Sequence, residues 1–179
     1  MSNMFLDRRS IRRFKDDEVE QAKLEIVLET ARWAPSWGNT QCCEVVVVRN
    51  AELKKKLSGL LSPKNPATLA VERAPVVLAV CGGLNKAGFY SGKALTKFGD
   101  WFMYDLGLAT QNICLSAHEQ GLGTVIVGAF DHDGVARLLE VPENYEVVAL
   151  LPLGYPDHSP SPPKRKSLDN FIHNDTFSS

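Results

Sequence analysis

Apolar positions dominate one stretch of this chain more than any other, residues 100–121 (DWFMYDLGLATQNICLSAHEQG). Phe102, Leu106, Ala109, Ile113 and Ala117 keep helical spacing, while Trp101, Leu108 and Leu115 populate another face. Between Trp101 and Ala117 the only formal charge is Asp105. A helix apolar nearly all round is buried on all sides, which predicts a core helix that also serves a dimer interface. A membrane span needs about 20 mostly apolar residues, and Asp105, Gln111, Asn112 and His118 interrupt the run. Asp100 is the expected N-cap, and Gly121 the expected left-handed residue past the C-terminus.

The remaining pattern alternates helix and strand. Val19, Leu24, Ile26, Val27, Leu28 and Ala31 predict an amphipathic helix over 17–33, capped by Asp16 or Asp17 and stopped by Pro35. Residues 34–41 (APSWGNTQ) then read as a loop that carries Trp37 where exposed linkers are usually polar. The β-branched run 44–48 and the apolar run 76–81 predict buried strands. Between them lie an expected short helix over 51–61, with Lys54, Lys55 and Lys56 outward, and a loop at 63–66. Residues 82–99 mix glycines with Phe89, Tyr90 and Phe98, the makings of a substrate-side lid or of an ordinary surface loop. Strands over 124–127 and 146–153 flank a short helix over 131–139 capped by Asp131. The tail is an extended proline-rich arm.

Composition narrows the class. The 179 residues, 44% hydrophobic with net charge -1, suit one domain spanning 1–179 and suggest neither a nucleic-acid nor a membrane-surface binder. The start of the chain lacks the apolar run of a signal peptide. Cys42, Cys43, Cys81 and Cys114 show no metal spacing, so reduced thiols in a cytoplasmic protein are expected.

Charge is nevertheless unevenly placed. Arg8, Arg9, Arg12, Arg13 and Lys15 crowd the first segment, and Lys164, Arg165 and Lys166 crowd the last. Each cluster reads either as solvated decoration or as half of one phosphate site formed where the chain ends meet. The glycines of GLGTVIVGAF (121–130) do not form a dinucleotide fingerprint, because there a helix ends and a strand begins. Ser10 lacks a nucleophile elbow, and the four histidines lack metal spacing. Without an acid/base pair in view, the expected enzyme is one whose cofactor carries the reactivity.

Four motifs in order now point to a family: RRSIRRF (8–14), ARWAPSWGNTQ (31–41), DLGLATQNICLSAHEQGLGT running into VIVGAF (105–130), and GYP (154–156) followed by KRKSLDNF (164–171). Together they resemble the FMN-dependent nitroreductases. The resemblance implies an α+β, three-layer fold with a mainly antiparallel sheet flanked by helices. It also implies a homodimer with FMN at the subunit interface. Arg8, Arg9, Ser10 and Arg12 match the family's FMN segment. Pro35, Ser36, Trp37 and Asn39 match the loop that reaches the partner subunit's flavin. Gly128 and Ala129 match the backbone beside the flavin's reactive N5, and Arg165 and Lys166 match the C-terminal phosphate ligands.

The implied activity is ping-pong. NADH or NADPH reduces FMN, and a nitroaromatic, quinone or similar electron-poor small molecule takes the reducing equivalents. No side chain need act as acid or base, and no metal is implied. A specialised oxidase or flavin-remodelling enzyme of the same fold is the alternative. The sequence departs from the family in carrying Cys42-Cys43 after Gln41, where Pro-Trp is common, and in a shortened segment between Leu61 and Asp100. With Glu44 adjacent and burial in a strand, both thiols are expected to be neutral and unreactive.

Overall fold

The computed structural model describes residues 4–177. Its central strand is β2 (Val76–Gly83), buried at every position. Such a strand has to be covered on both faces, and its alternate residues divide between two cores. Val76, Leu78 and Val80 face one, while Val77, Ala79 and Cys81 face the other. Burying one Val or Leu side chain is worth about 1.5–3 kcal/mol, so this strand alone anchors much of the fold.

β2 pairs antiparallel with β1 (Cys43–Val48) on one side and with β6 (Tyr145–Gly154) on the other. The short β5 (Gly123–Thr124) completes the order β1-β2-β6-β5. The first core takes in α2 (Gln21–Arg32) and α5 (Phe102–Glu119), and the second takes in α3 (Ala51–Gly59), α4 (Thr68–Arg73) and α6 (His132–Leu138). The three-layer, antiparallel α+β arrangement expected from the sequence is therefore present. Among the described residues, no helix is long and apolar enough to cross a membrane.

Several boundaries differ from expectation for identifiable reasons. α2 starts at Gln21, not Asp17, so neither Asp16 nor Asp17 caps it. Instead Val19, just ahead of the Glu20 cap position, shares a buried cluster with Leu24 one turn in, the arrangement of a hydrophobic staple. Lys54 is not outward but 7% exposed, its ammonium donating to the carbonyls of Ala74 and Pro75 at the end of α4. α4 itself had no sequence assignment. Asn65 initiates it by accepting from the Ala67 N–H at 2.9 Å.

The 82–99 stretch is not one long loop: Gly82 and Gly83 finish β2, and a hairpin of β3 (Phe89–Tyr90) and β4 (Lys93–Ala94) follows. The strand expected over 124–127 pairs only as far as Thr124, with Val127 bridging to Leu150 after Ile126 turns outward.

α5 begins one residue later than an Asp100 cap requires, although the Asp100 carboxylate still accepts from the Phe102 N–H at 3.1 Å. Its end follows the sequence: Gly121 adopts φ +74°, Leu122 N–H donates to Ala117 and Gly121 N–H to His118. This is a Schellman motif. Burial on all sides does not hold within one chain. Met103 and Tyr104 are 56% and 61% exposed, with Gly107 and Gln111 exposed on the same side. A short helix α1 (Met4–Asp7) precedes the basic segment.

Candidate functional site

The basic N-terminal segment is locked to the sheet by backbone pairing. Ser10 bridges Thr124 in parallel, and Ile11 N–H donates to the Thr124 carbonyl at 2.9 Å. Gly123 permits this approach, since a Cβ there would fall 2.5 Å from the Ile11 side chain. Further along, Phe14 bridges Pro156, Lys15 N–H reaches the Tyr155 carbonyl, and Asp157 N–H reaches Arg13. The chain's first and last segments thus run side by side.

Their cations meet. Arg8, Arg9, Ser10 and Arg12 line a cleft of about 610 Å³ whose opposite wall is Pro160–Pro163 and Arg165. Lys166 and Lys164 do not line it. Arg9 is committed in part, donating to the carbonyls of Leu6 and Arg8. Among the described residues, the guanidinium groups of Arg8, Arg12 and Arg165 make no hydrogen bond or ion pair. Behind Arg8 and Arg9 a second cleft of about 480 Å³ is lined by Thr124 and His158. His158 Nδ1 is buried there without a hydrogen-bond partner, and the buried Thr124 hydroxyl has only the Cys114 thiol beside it. Buried polar groups are nearly always satisfied, so the unpartnered His158 Nδ1 marks a place suited to a polar ligand.

The loop with Pro35, Ser36, Trp37 and Asn39 lies elsewhere in the chain, beside α5. Neither these residues nor Gly128 and Ala129 line the cleft of the cations. Two side chains fix the loop. Ser36 Oγ accepts from the Gln41 N–H at 3.0 Å, and both oxygens of Asp105 accept from the Trp37 N–H, at 3.1 and 3.0 Å. Trp37 packs on Trp101, ring centroids 4.9 Å apart. Asn39 takes φ +57°, a left-handed conformation in which Asn is enriched.

Gly128 and Ala129 are exposed and follow the Val127 bridge. Their carbonyls are held, that of Gly128 by His132 and that of Ala129 by Ser62 N–H and the Asn65 amide. Among the described residues their N–H groups donate to no protein acceptor. Two adjacent free donors on a fixed backbone are suited to a ligand atom carrying a lone pair.

Cys42 and Cys43 sit at the entrance to β1, between this loop and the sheet. Burial first, and then the Asp105 carboxylate, push the Cys42 thiol up to about 11. Burial and the neighbouring thiols push Cys43 up to about 12. The expected anion was Glu44. For Cys42 it is Asp105, which accepts the thiol proton at 3.5 Å. Asp105 and His132 were the functional candidates that sequence reasoning passed over. A single carboxylate in an otherwise uncharged helical run was the available signal for the first, and nothing in the sequence marked the second.

Comparison with known proteins follows the same lines. The sequence matches the Nitroreductase family profile over residues 6–72 and 62–155. A relative from Methanothermobacter thermautotrophicus is 32% identical over 157 residues, covering 86% of this chain and 75% of that protein. The FMN reductase [NAD(P)H] of Bacillus subtilis is 30% identical, covering 96% of this chain and 72% of its own length. The NADPH:FMN oxidoreductase of Vibrio harveyi, solved with NAD+, superposes with a TM-score of 0.84 at 25% identity, covering 98% of this chain and 77% of that one. With two profile segments spanning most of its length and its four motifs in order, the chain belongs to the nitroreductase family.

Proposed function

We propose that this protein is an FMN-dependent oxidoreductase that uses NADH or NADPH. The observation that carries the reading is the meeting of Arg8, Arg9, Ser10, Arg12 and Arg165 around one cleft, three of their guanidinium groups uncommitted. Arginine forks match the geometry of a phosphate, and such a cluster suits the terminal phosphate of FMN. The Thr124 hydroxyl and the free N–H groups of Gly128 and Ala129 add neutral donors of the kind a ribityl chain and a flavin ring accept.

In this reading Arg8, Arg12 and Arg165 hold the phosphate, with Lys166 joining from the arm. Ser10, fixed by its bridge to Thr124, faces the ribityl chain. The Gly128 and Ala129 backbone orients the reactive edge of the ring. Pro35, Ser36, Trp37 and Asn39 reach the flavin of the partner subunit in a homodimer built on the exposed face of α5. The chemistry FMN supplies when bound is hydride acceptance from NADH or NADPH and transfer of the reducing equivalents to an electron-poor acceptor such as a nitroaromatic or quinone. The residues of this chain bind, orient and shield. None is required to move a proton.

The test is anaerobic mixing of the purified, FMN-loaded protein with NADH or NADPH. Loss of the visible flavin absorbance, and its return on adding a quinone or nitroaromatic, is the expected result. Parallel double-reciprocal lines in steady state would establish the ping-pong order. A protein that retains no flavin, or retains it without bleaching, overturns the reading.

A further inference from the structure

The residue that shapes the Pro35–Asn39 loop belongs to none of the expected flavin contacts. Asp105 is 3% exposed, one turn into α5, and among the described residues no cation pairs with it. A carboxylate buried without a counter-cation has to be compensated by donors. Here these are the Trp37 N–H, which faces both oxygens, and the Cys42 thiol. The positive end of the α5 dipole adds to them. All the specific donors come from the two ends of one loop. The loop is correspondingly tight. It begins at Pro35, carries Asn39 and Gln41 at positive φ, and re-enters the sheet at Cys43.

We propose that Asp105 is a positioning residue for flavin binding in trans: it holds the loop in the shape that lets Ser36, Trp37 and Asn39 reach the cofactor of the partner subunit. The inference rests on the assignment of that loop to the partner's FMN. In this proposal Asp105 acts through the Trp37 backbone and Cys42. Asp105 sits in the first turn of the long helix, so the loop is held to α5 through it. Because Trp101, which precedes the helix, also packs on Trp37, the loop is fixed to α5 from two directions.

The experiment uses mixed dimers of the full-length protein. Homodimers of Asp105→Leu are expected to bind FMN at least about tenfold more weakly than wild type, with an altered visible circular dichroism of whatever flavin is bound. Asp105→Asn retains one acceptor for the Trp37 N–H and is expected to stay within a few-fold of wild type. A subunit carrying Asp105→Leu is then paired with one carrying Arg8→Ala by differential tagging. In that dimer, one flavin site has an intact cation cluster from the first subunit and an intact loop from the second. It is expected to bind half the wild-type complement of FMN with near wild-type affinity, although each parent homodimer is impaired.

Failure of this pair to recover a site overturns the proposal. A parallel pairing of Asn39→Ala with Arg8→Ala tests the underlying reading separately: if that pair also fails, the loop does not serve the partner's flavin. If it succeeds while the Asp105 pair fails, Asp105 is not the positioning residue. Should Asp105→Leu not fold, Asp105→Ser enters the same pairing, judged by the same flavin stoichiometry. Wild-type affinity in the Asp105→Leu homodimer would likewise overturn the proposal.

Discussion

The imidazole of His132 places Nε2 3.1 Å from the Gly128 carbonyl, and its other nitrogen stands 2.7 Å from the carbonyl of Val147. A neutral imidazole has one N–H and can serve one of these acceptors; the doubly protonated ring serves both. The ring is also stacked on Phe130, centroids 4.0 Å apart. The side chain thus ties the Gly128–Ala129 backbone to β6. His132→Phe preserves a flat ring and removes the imidazole N–H that serves these carbonyls. Unfolding by urea is expected to show a loss of about 1–3 kcal/mol. A flavin titration is expected to show several-fold weaker binding, since the segment is no longer held in place.

The cation cleft makes a direct prediction. A charge-assisted contact contributes roughly 1.5–3 kcal/mol, or about ten- to a hundredfold in affinity. Arg8→Ala is expected to fold normally, purify colourless and regain colour at high FMN. An unchanged dissociation constant by fluorescence quenching would reduce the cluster to surface decoration.

The exposed side of α5 predicts a dimer. Tyr104 and Met103 lie on a face of mainly apolar side chains, and obligate interfaces are large and apolar. Tyr104→Asp is expected to shift sedimentation toward the monomer at micromolar concentration and to lower flavin content in step. A wild-type protein that sediments as a monomer while holding FMN would count against the shared site.

The cysteines predict an alkaline limit. Free thiols in the unfolded chain titrate near the ordinary value of 9.0, while the folded Cys42 and Cys43 titrate at about 11 and 12. The folded state therefore keeps protons that the unfolded state loses between these values. This contribution leaves stability unaffected below about pH 8 and erodes it as pH rises from 9 through about 11 for Cys42 and about 12 for Cys43. The urea midpoint of Cys42→Ala is expected to fall less over that range than that of wild type. Alkylation of the native protein at pH 7 is expected to be slow and to leave turnover intact.

The strands and the central helix were legible because burial writes itself into the sequence as apolar spacing. β2 and α5 are the clearest cases. Features that depend on a single polar group meeting a distant backbone were not legible. Lys54 sits in a run of three lysines that looks uniformly solvated, yet its ammonium is turned inward to the end of α4. α2 begins late because Val19 is used to staple the helix start, which periodicity alone counts as helix. Within the site, the basic clusters and the option that they meet could be seen, but not the bridges at Ser10 and Phe14 that bring them together. The role of Asp105 needed the Trp37 N–H to be brought across from another element.

Those bridges also have a consequence for synthesis. The cradle lined by Arg8 and Arg12 is completed by Arg165, and the pairing of Phe14 with Pro156 brings the two segments together beside it. These segments lie far apart along the chain, and the second is made well after the first, so the early arginines wait during synthesis with no wall opposite them. Closing so long a loop carries an entropic cost that local contacts do not. With FMN assigned to this cleft, cofactor loading is expected to follow the docking of the later segment rather than to guide the folding of the earlier one.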